Sequence, residues 1–545
     1  AMPLGFGRRV ADAQYTGAGL TCQFEGGIGA GLGRTVMITG ATDGIGLALA
    51  RRCAERNERL ILVGRRPLAS LEDPLFSAAT YCEADLSGHG CEGEGVDAID
   101  VLVHNAGTGY WGPAEGQGTD DIHRVVAVNL EAPVRLTHAL FPRVLATRGH
   151  ILFIGSVVAV LPCPDYAVYG ATKAAIDGLT RSLAYEVGRS VTVQVIHPGA
   201  TRTGFHEKIG VADPRIDWRG FPTAAQVARK IESRVARPGR RRRRFVIGVG
   251  NRIGWALGRR IPRLIDASIK PYPNDRDGCQ PLTDELAIES GHAVVTGAAA
   301  GVGRALVARL ARDGVSITGV DVDEERSRSL EREFAGVDPV VRCKVGDLGD
   351  RDGLDDTVAT LLEGDPVDVL VHNAGINAVG RLPSLDLGTL MKIIAVNLTA
   401  PMVLTARLLE AGQIRRGGTI VFVSSLSHYV GYSGASVYAA TKDGLASYAC
   451  SLRVALRELD INVLTVFPGP TRTEHARRHS PDNSREHKRT LPEDLADRVV
   501  RAIKRRRRSL IPGWTNRQVA RLGAWLPAVT ERAMARSILG DRGDG

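Results

Sequence analysis

The 545-residue chain lacks several features that mark particular classes of protein. Its eight cysteines form no CxxC pair and no regular spacing, so we expect neither a metal site nor a disulfide framework. No apolar run approaches the roughly 18 residues of a membrane span. The Gly-rich start has neither the basic residues nor the apolar stretch of a signal peptide. The sequence therefore predicts an intracellular, cytoplasmic protein.

Positive charge is in excess, with a formal net charge of +10, and much of it lies in two short runs. Arg240 to Arg244 and Lys504 to Arg508 each follow a helix-like stretch and precede a short apolar one. No aromatic-lined or groove-reading motif accompanies them, which disfavours nucleic acid as a partner. Two interpretations stay open: solvated helix ends, or attraction to anionic lipid, coenzyme A or an acyl carrier protein.

A repeat spans nearly all of the chain. ITGATDGIG at 38–46 returns as VTGAAAGVG at 295–303, DVLVHNAG at 100–107 returns at 368–375, and VYGATK at 168–173 returns as VYAATK at 437–442. The AVNL and PG segments and the NR, LG and Pro landmarks of the two tails return in the same order. The glycine loops lie 257 residues apart (297 minus 40) and the HNAG motifs 268 (373 minus 105). The first copy is therefore shorter between them, and we expect its Gly-rich SGHGCEGEGVD to replace a helix.

Each copy alternates short apolar runs with stretches of helical periodicity. In the first copy, TVMIT, RLILV, DVLVH, HILFI and VTVQVI are expected to be buried strands. Strands buried on both faces, with helices between them, imply an α/β fold with a parallel, doubly wound sheet. We predict two Rossmann-type domains in tandem: a Gly-rich extension at 1–33, a first domain at 34–270, a linker at 271–288 and a second domain at 289–545.

The order TGxxxGxG, NAG, Ser, YxxxK and PG, found twice, resembles the short-chain dehydrogenase/reductase family, and the resemblance covers nearly the whole chain. It implies a nicotinamide-dependent oxidoreductase that interconverts ketones and secondary alcohols. The glycine spacing disfavours the extended epimerase or dehydratase branch. Family members pair through the helices that carry the Asn and YxxxK, so we expect the two copies to pair within one chain as a pseudo-dimer, with a further homodimer left open.

Catalysis is predicted from a tyrosine and a lysine four residues apart, which share one face of a helix. A carbonyl that receives hydride needs a proton on its oxygen, and we expect the nearby ammonium to lower the tyrosine pKa from its reference near 10. The resemblance implies that the Ser thirteen residues before the Tyr holds the substrate oxygen, that the Asn of AVNL anchors a water chain, and that the Lys also reaches the nicotinamide ribose. Ser424 is a neighbouring alternative to Ser425. The predicted catalytic residues are Asn129, Ser156, Tyr169 and Lys173 in the first copy, and Asn397, Ser425, Tyr438 and Lys442 in the second.

Each glycine loop follows a strand and opens a helix, where the backbone can approach a pyrophosphate at the positive helix end. The resemblance extends the predicted cofactor contacts along the chain, while His104 and His372, before the NAG asparagines, are expected to be structural. In the first copy the predicted contacts are Gly40, Thr42, Asp43, Gly44, Ile45, Gly46, Arg65, Arg66, Asp85, Leu86, Asn105, Ala106, Gly107, Lys173, Pro198, Gly199, Thr201 and Thr203. In the second they are Gly297, Gly301, Val302, Gly303, Asp321, Asp347, Leu348, Asn373, Ala374, Gly375, Lys442, Pro468, Gly469, Thr471 and Thr473.

The two copies differ eighteen residues past the last loop glycine. The second copy has Asp321 there, which can bind both ribose hydroxyls and repels a 2′-phosphate. The first has Gly64 followed by Arg65 and Arg66, whose guanidinium groups suit a phosphate. We therefore predict NADP(H) in the first domain and NAD(H) in the second, although the two arginines could also be ordinary surface charge.

Two complete catalytic sets with opposite cofactor preferences suggest that the first domain reduces a ketone with NADPH and the second oxidises an alcohol with NAD. The net result could be epimerisation or a redox relay. One half could instead be a nucleotide-binding scaffold or regulator, or both halves could reduce ketones independently. Tyr110 and Trp111 could wall an apolar pocket, and the Arg- and His-rich loop after Thr473 could hold an anionic group or be solvated. Either tail could extend the pocket, touch a membrane or carrier, or pack normally; a lipophilic small-molecule substrate is expected.

Overall fold

The computed structural model describes residues 33–88, 96–211, 216–235, 243–260, 291–336, 338–479, 483–484 and 486–539. Two seven-stranded sheets form, in the orders β3-β2-β1-β4-β5-β6-β7 and β10-β9-β8-β11-β12-β13-β14. The strands of the first sheet are β1 Thr35–Thr39, β2 Arg59–Gly64, β3 Thr80–Glu83, β4 Val101–His104, β5 His150–Ile154, β6 Thr192–His197 and β7 Arg244–Val246. Those of the second are β8 His292–Thr296, β9 Ser316–Asp321, β10 Val341–Val345, β11 Val367–His372, β12 Ile414–Val423, β13 Asn462–Val466 and β14 Ser509–Leu510.

Helices cover both faces of each sheet, as the alternation of apolar runs and helical periodicity predicted. Those of the first repeat are α1 Gly44–Ala54, α2 Pro74–Ala78, α3 Thr119–Val126, α4 Ala132–Ala146, α5 Ala167–Glu186, α6 Phe205–Lys208, α7 Ala224–Val235 and α8 Val249–Arg260. Those of the second are α9 Gly301–Ala311, α10 Glu324–Glu333, α11 Arg351–Glu363, α12 Leu387–Ile394, α13 Ala400–Glu410, α14 Ser427–Val430, α15 Ser436–Ala455, α16 Glu474–Arg478, α17 Pro492–Lys504, α18 Trp514–Trp525 and α19 Pro527–Leu539.

All ladders in both sheets are parallel, which confirms the predicted fold of two tandem Rossmann-type domains. Met37 of β1, for example, pairs with Ile61 of β2 and Leu102 of β4, and its side chain is fully buried. The strand order reverses beside β1 and β8, which each carry a glycine loop at their carboxyl end. In open parallel sheets a ligand binds at such a reversal, so the topology places a cleft above each loop.

The two domains pack through the long helices α5 and α15, so the predicted intrachain pseudo-dimer is formed. One apolar core continues across this contact, from Val168 and Ala171 on α5 to Val437 and Ala440 on α15. Reciprocal bonds repeat the pairing: Ser182 Oγ accepts from the Tyr432 N–H, and Ser451 Oγ accepts from the Cys163 N–H, both at 3.2 Å. The contact therefore has an approximate twofold relation.

A buried ion cluster breaks that relation. Arg181 on α5 bonds to Asp443 of the second domain and lies 3.8 Å from Asp177 and 3.7 Å from Glu531. Asp177 also pairs with Arg244 at 2.5 Å, and these cations hold the pKa of its carboxyl well below the usual range despite burial. The positions on α15 that correspond to Asp177 and Arg181 are Ala446 and Cys450.

The cluster corrects one interpretation of the basic runs. Arg244 is tied to Asp177, and the Arg243 guanidinium lies 3.6 Å from the centroid of the Tyr185 ring, so this end of the first run is not a solvated loop. In the second run, Arg506 donates to the carbonyls of Gly417 and Asp460. Arg505 and Arg507 of that run line a cavity of about 320 Å³. Arg498, Arg501 and Arg517 line it as well, and its walls carry no acidic residue.

One helical run is more apolar overall than its interrupted sequence suggests. The helical run Leu387–Glu410 is long and apolar enough to cross a membrane by composition, and 67% of its most apolar window is buried inside the protein. Its Leu390, Ile393 and Leu404 lie in the core, so it is a core helix of the second domain. The predicted boundaries 34–270, 271–288 and 289–545 stay predictions. The extension to residue 32, much of SGHGCEGEGVD (89–95) and residues 261–290 lie outside the described residues.

Candidate active sites

Each domain brings its predicted catalytic residues together at the carboxyl end of its sheet. Tyr169 hydrogen bonds to Ser156, and Tyr438 to Ser425, with each ring half-buried at a cleft. The alternative Ser424 is buried and donates instead to the Lys442 carbonyl at 2.8 Å. Ser425 is therefore the serine in contact with the second phenol.

Lysine and asparagine form the buried half of each set. Lys173 Nζ donates to the Ile154 carbonyl of β5 at 3.1 Å, and Lys442 Nζ donates to the Val423 carbonyl of β12 at 3.0 Å. Asn129 and Asn397 lie in matching π-helical turns, Ala127–Glu131 and Ala395–Thr399. Such bulges often mark functional positions because they redirect side chains inside a helix.

The NAG glycine lies against both of these side chains. A Cβ at Gly107 would lie 3.4 Å from Asn129 Oδ1 and 3.5 Å from Lys173 Nζ. At Gly375 the corresponding distances are 3.3 Å to Asn397 Oδ1 and 3.2 Å to Lys442 Nζ. Glycine therefore keeps the space above the ammonium open in both domains.

The ionisation of these groups differs from the sequence expectation. Burial raises the pKa of Tyr169 above its ordinary value and that of Tyr438 to about 12, although the serine hydrogen bonds oppose the rise. Burial lowers the pKa of Lys173 and Lys442 to about 8. Each ammonium lies 5.6 or 5.7 Å from the centre of its tyrosine ring and donates to a strand carbonyl, so the expected lowering of the phenol pKa is not found. A phenol that stays protonated at neutral pH can donate a proton.

Both glycine loops have the close packing that a dinucleotide cradle requires. Gly40 and Gly297 adopt φ of +65° and +66°. A Cβ at Gly46 would lie 2.2 Å from the Gly40 oxygen, and one at Gly303 would meet Gly297 still more closely. Asn105 Nδ2 donates to the carbonyls of Thr39 and Gly40, at 3.0 and 3.1 Å, and Asn373 does the same in the second domain. The residues present therefore fit a pyrophosphate at each helix start.

The other predicted contacts surround these cradles. Ile45 and Val302 pack against the apolar cores, while Leu86 and Leu348 are buried within them. The carbonyls of Pro198 and Pro468 accept N–H bonds from the segments after the catalytic serines. The methyl groups of Thr203 and Thr473 approach Gly44 and Gly301. The hydroxyls of Thr201 and Thr471 donate to the carbonyls of Gly199 and Gly469. The Asp43 side chain caps α1, and Thr42 lies beside Gly64. Ala106 and Ala374 lie against Gly40 and Gly297.

The adenosine end of the first cleft has no room for an acid at the end of β2. A Cβ at Gly64 would lie 2.4 Å from Thr42 Cγ2 and 2.7 Å from Tyr81 Oη. Arg65 and Arg66 follow and are exposed, with Arg66 donating to the Ser70 carbonyl. Asp85 accepts from the N–H and hydroxyl of Ser87, which keep its pKa low against the effect of burial.

The second cleft accommodates Asp321 because its neighbours are small. By strand register, Cys343 takes the place of Tyr81, and Ala299 takes the place of Thr42. Asp321 Oδ2 accepts from the Ala299 N–H at 2.9 Å, so the carboxylate lies beside the glycine loop. Val322 and Asp323 then replace the two arginines. Asp347 accepts from Lys392 at 2.8 Å.

The substrate sides of the two clefts also differ. Around Tyr169 the rings of Trp111, Tyr166, Phe205 and Trp218 form a chain of aromatic contacts through His206. Tyr110 instead donates to the Gly116 carbonyl.

In the second domain Val379 and His475 stand where Trp111 and Phe205 stand in the first. Burial, with His479 and Lys442 nearby, lowers the pKa of His475 to about 4, so it is neutral at neutral pH. The first wall is therefore aromatic, whereas in the second a valine and a neutral imidazole replace two of the aromatic rings.

Sequence reasoning missed residues in the NAG loop and the tails. Asn377 has a buried side-chain oxygen without a hydrogen-bond partner among the described residues, and its counterpart is Gly109 beside Tyr169. Unlike an aromatic stripe, a single amide carries no sequence signal.

The repeated NR and LG of the tails mark positions of close packing, which is one of the interpretations left open for the tails. Asn251 and Asn516 lie on Gly199 and Gly469. Gly258 and Gly523 lie against the backbones of Val160 and Tyr429, so each tail helix packs on the segment after a catalytic serine. The outward faces of α8 and α18 stay apolar and exposed at Val249, Ile253, Trp514 and Leu522.

The histidines before each NAG motif have a structural environment. His104 and His372 are buried, stack on Phe153 and Phe422, and bond through Nε2 to Thr137 and Thr405 at 3.0 and 2.8 Å. Burial lowers their pKa to about 3, so both are neutral.

Comparison with known proteins matches both repeats. The family model for short chain dehydrogenase matches residues 34–213 and again 291–484. A cyclic-di-GMP-binding biofilm dispersal mediator protein of Escherichia coli is 35% identical over 182 residues, which cover 32% of this chain and 76% of that protein. The 3-oxoacyl-[acyl-carrier-protein] reductase FabG of Rickettsia bellii is 33% identical over 184 residues, with the same coverage. A solved short-chain dehydrogenase from Sphingobium yanoikuyae in complex with NADPH is 26% identical and covers 44% of this chain and 96% of its own, with a TM-score of 0.37.

Proposed function

The chain belongs to the short-chain dehydrogenase family, and from this premise we propose that both of its domains are active nicotinamide-dependent oxidoreductases. The first reduces a ketone with NADPH, and the second oxidises a secondary alcohol with NAD. The observation that carries the proposal is the pair of complete Asn, Ser, Tyr and Lys sets, each beside a glycine cradle of the same geometry.

The chemistry follows from the positions of these side chains. A dinucleotide bound in the cradle supplies or accepts the hydride. In the first domain the carbonyl carbon gains a hydride, while its oxygen gains the Tyr169 proton and is held by Ser156. Lys173 returns a proton to Tyr169, and a water chain anchored at Asn129 resupplies the lysine. In the second domain the carbinol carbon loses a hydride, while Tyr438 takes the hydroxyl proton and passes its own proton to the neutral form of Lys442, which a pKa of about 8 makes accessible near neutral pH.

The cofactor assignment rests on the adenosine ends. A side chain at position 64 would collide with Thr42 and Tyr81 unless they shift, and Arg65 and Arg66 are the charged groups that follow at the first cleft. Asp321 and Asp323 make the second cleft acidic, which favours ribose hydroxyls over a phosphate. Cells generally keep NADPH reduced and NAD oxidised, so opposite directions of reaction suit the two domains.

The substrate that we propose is a lipophilic small molecule. The aromatic wall around Tyr169 favours an apolar ketone, and the FabG relative, by its name, reduces a 3-oxoacyl group. If one substrate visits both sites, the product is its epimer or a molecule with its oxidation level moved. The acyl-carrier or membrane partner, a further homodimer and the cytoplasmic location stay predictions.

Two variants test whether both domains turn over. Tyr169→Phe should lower NADPH-dependent reduction of acetophenone by at least about 100-fold, because the proton donor is lost. It should leave NAD-dependent oxidation of 1-phenylethanol unchanged, and Tyr438→Phe should give the opposite pattern. If either variant keeps all turnover of both kinds, its domain is a scaffold or regulator and the proposal is wrong. Two independent reductions would appear as NADPH oxidation that survives in both variants.

A second measurement tests the coupling of the two reactions. Single-enantiomer 1-phenylethanol supplied with NADPH and NAD together should yield the opposite enantiomer, and leaving out either cofactor should stop its formation. If only one cofactor is needed, the two reactions are not coupled.

A further inference from the structure

The side chain of Glu186, the last residue of α5 in the first domain, makes its hydrogen bonds to the second domain. Its Oε1 accepts from the N–H groups of Gly434 at 2.8 Å and Ser436 at 3.1 Å. Its Oε2 accepts from the Leu382 N–H at 3.1 Å and the Ser436 hydroxyl at 3.3 Å. Glu186 is only 2% exposed, so water does not replace these bonds.

The partners of Glu186 belong to two loops that frame the second cleft. Ser436 is the first residue of α15, two residues before Tyr438, and Ala435 before it provides no side-chain cap. Glu186 therefore caps the catalytic helix from the other domain by accepting the hydrogen bond of the Ser436 N–H. Leu382 belongs to the loop after the NAG motif, which the Gly380 N–H ties to the Gly434 carbonyl at 2.8 Å.

The link runs in one direction only. The serine bonds between the domains are reciprocal, but the position on α15 that corresponds to Glu186 is Ala455. The first catalytic helix is entered differently, through the turn Pro164–Tyr166. Within the described residues, the second domain thus contributes no equivalent carboxylate to the first cleft.

We propose that Glu186 is a positioning residue of the second active site, contributed by the first domain. By fixing the first turn of α15 and the loop at Leu382 against each other, it sets where the Tyr438 phenol stands relative to substrate. The second domain is therefore incomplete as an enzyme without the first. The catalytic part of this inference rests on the proposed activity of the second domain.

Hydrogen exchange on the full chain tests the positioning directly. In Glu186→Ala, amide exchange should rise at least about tenfold at Leu382 and at Gly434 and Ser436, because their acceptor is lost. Exchange in the matching segment 163–169 of the first domain should not change. Glu186→Gln keeps one acceptor oxygen and the side-chain volume, so it should give a smaller rise and folds even where the Ala variant does not. Unchanged exchange at all three amides, or an equal rise in both domains, would overturn the proposal.

Turnover gives the second readout. In a Tyr169→Phe background, Glu186→Ala should lower kcat for oxidation of 1-phenylethanol by about 10- to 100-fold with KM for NAD within about twofold, because the phenol is misplaced. In a Tyr438→Phe background, acetophenone reduction should stay within about twofold. Ser451→Ala is the mirror control, because it removes the second-domain acceptor of the Cys163 N–H in the first domain, and it should act on reduction instead.

These outcomes separate the two proposals. If the second domain oxidises no alcohol even with Glu186 in place, the proposed function fails, while the exchange experiment still decides the role of Glu186. If kcat of both domains falls equally in Glu186→Ala, the residue is merely structural and the inference is wrong.

Discussion

In the first domain the Lys173 ammonium lies 5.6 Å from the centre of the Tyr169 ring, and in the second Lys442 lies 5.7 Å from that of Tyr438. At the adenosine ends the same two domains have opposite charge. Gly64 is enclosed by Thr42 and Tyr81, whereas Asp321 lies beside Ala299 and Cys343. The catalytic helices pack against each other, so a substitution in one helix disturbs the other. The charge of a cofactor pocket, by contrast, can be altered by substituting a few neighbouring residues together.

The largest effect that would sharpen this comparison concerns the adenosine ends. Arg65→Ala should raise KM for NADPH in the first domain at least about tenfold, because a charge-assisted bond to the 2′-phosphate is lost, and should change KM for NADH much less. Asp321→Gly should lower the preference of the second domain for NAD over NADPH by a similar factor. Steady-state kinetics in Tyr438→Phe and Tyr169→Phe backgrounds measure each domain separately.

Arg66→Ala removes the second predicted phosphate contact and should weaken NADPH binding in the same direction, again with a smaller effect on NADH. Equal weakening of NADPH and NADH by Arg65→Ala would remove the basis for assigning different cofactors. The comparison between the domains would then reduce to their substrate sides.

The sequence was sufficient for the features that repeat. Strands such as TVMIT and HILFI are apolar on both faces, and the spacing of Tyr169 and Lys173 predicted a shared helix face. The edge strands Thr80–Glu83 and Arg244–Val246 were missed, because each is short and combines polar with apolar residues. The opposite charge at the adenosine ends could be predicted, because counting residues from the glycine loop shows where the acid of the second domain is absent from the first.

Other features depend on contacts that no local pattern encodes. In the sequence, Glu186 is indistinguishable from an ordinary exposed acid at the end of a helix. Only the packing of α5 on α15 brings its carboxyl group to Gly434 and Ser436. The pKa of the catalytic tyrosine was predicted in the wrong direction for the same reason. Burial outweighs a lysine whose ammonium is directed to a strand carbonyl.

A smaller effect should distinguish the substrate sides. Asn377 Oδ1 is buried without a partner among the described residues, so we expect the amide to turn when substrate binds and to accept a hydrogen bond from a substrate hydroxyl. In the second domain, Asn377→Gly should lower the preference for 1-phenyl-1,2-ethanediol over 1-phenylethanol by about tenfold in kcat/KM. Gly109→Asn is the reciprocal change and should give the first domain a preference for 2-hydroxyacetophenone over acetophenone. Unchanged ratios in both variants would mean that this amide does not contact substrate.

The smallest expected effect is on stability, and it concerns the residue that has no counterpart. Burial raises the pKa of Glu186 to about 7 against the donated hydrogen bonds, from an ordinary value of 4.5. The folded chain therefore binds this proton more tightly than the unfolded chain, so its contribution to stability is present below pH 4.5 and is lost as the pH rises through 7.

In Glu186→Gln the side chain stays neutral, so the melting temperature of the native chain minus that of the variant should fall by about 2 °C between pH 5 and pH 7.5. Loss of the acceptor oxygen shifts this difference equally at every pH and does not mimic the trend. A difference that stays constant with pH would mean that the carboxyl is ionised at its ordinary pKa, and the two domains would then carry the same charge at their contact at neutral pH as in mild acid.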